Sequence, residues 1–70
     1  MTPGYTAKPG VVFHATFGLE MGRSDAMRCR DYHTARLALP DIGREIREHN
    51  TRRLAELDAA IAVAWPEERP

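Results

Sequence analysis

Residues 11–39 read VVFHATFGLEMGRSDAMRCRDYHTARLAL, and the fold turns on how this stretch is parsed. From Val11 to Met21 the odd positions are Val11, Phe13, Ala15, Phe17, Leu19 and Met21, all apolar. The even positions, Val12, His14, Thr16, Gly18 and Glu20, are mostly polar. A period of two with β-branched and aromatic residues predicts a strand with one buried face. Gly22-Arg23-Ser24-Asp25 then forms a cluster of turn residues. Beyond it the alternation resumes. Met27, Cys29, Ala35, Leu37 and Leu39 share one face with Asp31 and His33, while Arg28, Arg30, Tyr32, Thr34 and Arg36 share the other.

Two alternating runs around a turn predict an antiparallel β-hairpin over about 11–21 and 27–39. Pairing Met21 with Met27 sets Leu19 opposite Cys29 and Phe13 opposite Ala35 on the inner face. It also sets Glu20 opposite Arg28 on the outer face, a favourable cross-strand charge pair. The stretch 24–39 also admits a helix capped by Ser24 and bearing Cys29, Tyr32, Arg36 and Leu39. The register favours the hairpin.

Pro40 and Asp41 open a different pattern. Ile42, Ile46, Asn50, Leu54, Leu57, Ile61 and Ala64 or Trp65 recur at three- and four-residue spacing, the signature of one helical face. The spacing predicts a helix over about 41–65, stopped by Pro66. Gly43 weakens its first turn by about 1 kcal/mol relative to Ala. The expected architecture is α+β: a small two-layer ββα unit with the hairpin packed by one long C-terminal helix. Residues 11–65 make a single domain, 1–10 a flexible lead-in with two Pro and two Gly, and 66–70 a tail.

At 70 residues the chain has room for one small core. Beginning at Met1, it reads as a whole gene product. One cysteine excludes an internal disulfide and fits a reducing compartment. The N-terminus lacks the basic start and apolar run of a signal peptide, and no stretch is long enough to span a membrane. A cytoplasmic protein with no membrane contact is expected. Ten basic and ten acidic residues cancel, which weakens a nucleic-acid reading. The charge is uneven, with eight Arg against five acids over 22–53 and one Arg against four acids over 54–70.

The residues of types that carry chemistry are few. His14, Cys29, His33 and His49 are zinc-ligand types. On a helix Asp25, Cys29 and His33 would share a face, but on a strand Cys29 and His33 sit about 13 Å apart, too far for one ion. Cys29, Asp31 and His33 are nucleophile, acid and base types, yet all lie within five positions of one element rather than converging from several. Gly18 to Ser24 falls one residue short of a phosphate-binding loop and has Arg where that loop has Lys. No catalytic residue, metal site or cofactor is expected, and the chain is not expected to be an enzyme.

What remains is binding. A two-stranded sheet leaves open edges and is marginal alone. Trp65 at a helix end, Phe17 and Tyr32 are the aromatic anchors that interfaces favour, and Arg is favoured there too. Arg28, Arg30, Tyr32, Arg36 and Trp65 are therefore the expected partner-binding residues. They belong to a small protein-interaction domain that forms a homodimer or docks on a larger complex. The general profile is that of an accessory or inhibitor protein of a phage or mobile element. The alternative is a nucleic-acid-binding accessory protein using the Arg28, Arg30, Tyr32 and Arg36 face.

Overall fold

Pro9-Gly10 reverses the chain between strand β1 (Tyr5–Lys8) and strand β2 (Val11–His14). Proline holds φ near about −65°, and Gly10 adopts φ 83°, the left-handed value that the next turn position requires. A second reversal follows over 15–18. There Gly18 takes φ 64° and donates its N–H to the His14 carbonyl at 2.7 Å. The chain then enters strand β3 (Leu19–Met21). Helix α1 (Arg23–Leu37) and helix α2 (Arg44–Ala64) complete an α+β fold with an antiparallel sheet in the order β1-β2-β3. The structure, a computed structural model, describes residues 4–15 and 17–66.

Three expectations change. Tyr5 to Lys8, placed in the lead-in, form an edge strand paired with β2. The run 11–21 is itself a hairpin rather than one strand. Because four residues separate His14 from its partner Leu19, Val12 and His14 share a face with Leu19 and Met21. The buried face of β2 is thus the even one: Val12 is fully buried, Phe13 half-buried and Phe17 70% exposed. Thr16, residues 1–3 and residues 67–70 lie outside the described residues.

The third change is the largest: 27–39 is not a strand, and most of it belongs to α1. Eight of the 15 residues of α1 (four Arg, two Ala, Met27 and Leu37) are strong helix formers, and Thr34 is its sole β-branched residue. Asp25 in the first turn and Arg36 in the last suit the helix dipole. Gly22, not Ser24, is the N-cap. Helix α2 starts with Gly43 as N-cap, so residues 41–43 precede the helix.

The core joins Tyr5, Val12 and Met21 of the sheet to Ala26 of α1 and to Leu57, Ala60, Ile61 and Ala64 of α2. Leu57 and Val12 are fully buried, each contributing roughly 1.5–3 kcal/mol by leaving water. Four of these eight core positions are Ala or Val, so the elements approach closely. Helix α2 packs on α1 and β1, while α1 reaches β2 and β3. Arg30 pairs with Asp58 at 3.0 Å across the helix seam, and Arg47 donates to the Leu37 carbonyl at 3.3 Å at the end of α1.

Candidate functional site

Two polar residues sit where the helical faces call for apolar ones, His33 on α1 and Asn50 on α2, and both are buried. Buried polar groups need partners. Asn50 donates its side-chain N–H to the Ile46 carbonyl at 2.9 Å, which turns its oxygen toward His33 Nδ1 at 2.8 Å. His33 Nδ1 must therefore carry the proton and donate, leaving Nε2 to accept from the Tyr5 hydroxyl at 2.9 Å. The line Tyr5–His33–Asn50 ties the sheet to both helices with every member satisfied. Burial, and next the neighbouring Cys29, push the Tyr5 phenol above its ordinary value, so it stays a donor at neutral pH.

Around this line the rings form a chain. Phe17 lies 4.7 Å from His14, His14 5.1 Å from Tyr5, Tyr5 6.0 Å from His33, and His33 5.4 Å from Tyr32, centroid to centroid. The Arg36 guanidinium caps the Tyr32 ring at 5.7 Å. Within the chain Tyr5 and His33 are buried and His14 is half-buried, while the ends are open, with Phe17 70% and Tyr32 57% exposed.

Shallow hollows flank the chain. One of about 340 Å³ is lined by Tyr5, His14, Arg28, Cys29, Tyr32 and His33. A smaller one, about 170 Å³, lies between His14, Phe17, His49 and Arg53. A third, about 370 Å³, opens where Tyr32 and Arg36 face Ile46 and His49. It continues into a groove past Leu39 and Ile42. Neighbouring hollows share Tyr5, His14, His33, His49, Arg36 or Ile46, so they form one band along one side of the molecule.

The expected binding residues divide. Arg28, Tyr32 and Arg36 follow one another at four-residue spacing along α1 and line the band. Arg30 is turned to the seam with α2 by its pairing with Asp58. Trp65 ends α2, donating its N–H to the Ile61 carbonyl at 2.9 Å, and packs against the core. Cys29 and His33, on a helix, are one turn apart; Cys29 donates its thiol to the Met21 sulfur at 3.7 Å. Among the described residues no group of three or more His, Cys, Asp or Glu is arranged to hold a metal ion, and no helix is long and apolar enough to cross a membrane.

Tyr5, His14 and Asn50 are the residues of the band that the sequence did not point to as a binding surface. The available signal was Asn50 on an otherwise apolar helical stripe, which demands a polar partner from another element. Comparison with protein-family models, with characterised proteins and with solved structures finds no match for the chain.

Proposed function

We propose that this chain is a non-enzymatic protein-interaction domain that docks through the band from Phe17 to Ile46. The observation that carries this reading is where the exposed apolar side chains lie. Among the described residues six large apolar side chains are exposed; Phe17, Tyr32, Leu39 and Ile46, between 44% and 70% exposed, line the band alongside Arg28 and Arg36, while Leu19 and Val63 lie off it. Aromatic and Arg anchors around a rigid floor are what a protein interface selects. The fully bonded Tyr5–His33–Asn50 line supplies that floor.

The test is capture from the native cell with tagged wild-type protein and with a Phe17→Ser/Tyr32→Ala double variant, both after nuclease treatment. The expected result is a partner, or a second copy, retained by the wild type and lost by the variant at unchanged circular dichroism. Equal retention by both overturns the band as the docking face.

A second reading follows from Arg28, Tyr32 and Arg36 sharing one helical line: Tyr32 and Phe17 as stacking platforms for single-stranded nucleic acid. Retention that vanishes with nuclease, and affinity that falls steeply with salt, select it over protein docking.

A further inference from the structure

The two hollows on either side of the Tyr5–His14–His33 rings are unlike the rest of the band in charge. Their lining includes Arg28, Arg53, Tyr5, Tyr32, Cys29 and the three imidazoles, but neither Asp nor Glu. Asp41 and Glu45 line only the far end. Arg53 is occupied, donating to Glu56 at 2.7 Å. Arg28 is not held in this way: its nearest acid, Asp25, stands 4.0 Å away, with the two side chains 83% and 63% exposed, an arrangement that contributes little in water. His14 adds an independent sign. Its Nδ1 is buried and has no hydrogen-bond partner among the described residues, so the protein leaves part of this imidazole's bonding capacity unused, whereas His33 is saturated.

Resting on the docking reading above, we infer that the hollow between Arg28, Tyr32 and His14 receives a carboxylate from the partner, an Asp or Glu of an acidic protein segment whose apolar neighbour packs on Tyr32 or Phe17. Charge complementarity selects this occupant. The hollow offers the Arg28 guanidinium and the Tyr32 phenol as donors, with no acid on its wall. The exposed rings on either side suit an apolar neighbour rather than a bare ion. A guanidinium fork matches a carboxylate in two parallel hydrogen bonds once Asp25 is exchanged for it. The chain's formal charge of zero argues for a few local carboxylates over a polyphosphate backbone.

The experiment is a titration of isotope-labelled protein, followed by amide and imidazole NMR signals. It compares sodium acetate, sodium phosphate and sodium chloride at matched ionic strength. Acetate is expected to give saturable shifts centred on His14, Cys29 and Tyr32 that chloride does not reproduce. Arg28→Gln should weaken this response about tenfold, the loss of one charge-assisted contact, and Arg28→Lys should recover part of it. Arg28 is exposed, so both variants should keep the wild-type spectrum elsewhere. Shifts equal for acetate and chloride, or indifferent to Arg28→Gln, overturn the carboxylate site. So does a phosphate response at least about tenfold tighter than acetate that a short oligothymidine displaces. None of these results alters the Phe17/Tyr32 capture experiment, so the carboxylate site can fail while the docking face stands.

Discussion

His33 bonds the sheet with one ring nitrogen and α2 with the other, so removing it strands two buried groups rather than one. His33→Leu leaves the Tyr5 hydroxyl and the Asn50 oxygen unpaired, at roughly 1–3 kcal/mol each. Against the roughly 3–5 kcal/mol that a scaffold of this size has in hand, the expected outcome in urea is a largely unfolded protein. His49→Leu, at an exposed position, should stay within about 0.5 kcal/mol of wild type. Similar midpoints for the two variants would mean that the line carries no stability. A second residue-scale prediction concerns Glu56. Burial raises its carboxyl, but the Gly4 amide and the Arg53 guanidinium together outweigh burial and hold it below its ordinary value of 4.5. A carboxyl lowered in the folded state adds stability above its unfolded pKa, and that stability is lost as pH falls toward the folded one. Glu56→Gln should therefore narrow the gap between urea midpoints at pH 7 and pH 3, mainly by lowering the pH 7 value. An unchanged gap contradicts the clamp. Gly4 belongs to the same clamp, since a Cβ there would stand 2.6 Å from the Arg53 side chain.

At the scale of elements, α1 decides between two readings of the same letters, and stability separates them. Ala26 is fully buried against the sheet and α2, whereas the 11–21/27–39 hairpin would put it in an open loop. Ala26→Leu should therefore cost roughly 1–3 kcal/mol through overpacking. Phe17→Ala, at a 70% exposed ring, should change stability by no more than about 0.5 kcal/mol, while Leu57→Ala should cost roughly 2–5. A neutral Ala26→Leu with a damaging Phe17→Ala would restore the hairpin. The α+β class and the position of α2 were legible because Leu57, Ile61 and Ala64 repeat at helical spacing over many residues. Helix α1 was not, because its buried face carries Ala26 and His33, flanked by the half-buried Cys29 and Met27, rather than a repeating stripe of large apolar side chains. Without such a stripe, the chance alternation of Met27, Cys29, Ala35 and Leu37 outweighed the abundance of Arg and Ala. Strand β2 misled for a related reason. The four-residue turn ending at Gly18 changes which parity faces inward, so one unbroken alternation in the sequence spans two strands whose inward positions are even in β2 and odd in β3. The same error hid the site: on a strand Arg28, Tyr32 and Arg36 spread along a sheet, but on a helix they form one line beside His33.

Across the whole molecule, four of the five aromatic residues fall into two groups with different work, while the fifth, Phe13, lies half-buried with the Lys8 ammonium over its ring. Tyr5 and Trp65 pack in or against the core, at opposite ends of α2's contact with β1: Gly4 meets Glu56, and Gly10 donates to the Ala64 carbonyl at 2.8 Å. Phe17 and Tyr32 point to solvent on the band. The sequence assigns Trp65 to the partner, and its place against the core at the end of α2 makes a different outcome testable. Trp65→Ala removes a ring that covers the small core where α2 ends, at a cost of up to about 3 kcal/mol for a half-buried position. It should lower the melting temperature and weaken association only in proportion to the folded fraction lost. Phe17→Ser/Tyr32→Ala exposes no core, so its melting temperature should match wild type while self-association or partner capture disappears. Light scattering after size exclusion, with thermal circular dichroism on the same samples, reads both properties at once. The docking face predicts that the two variants separate, one losing stability and the other losing assembly. If Trp65→Ala instead keeps its melting temperature and loses assembly, the contact surface lies at the C-terminal end of α2 and the Phe17–Tyr32 band is a solvated face.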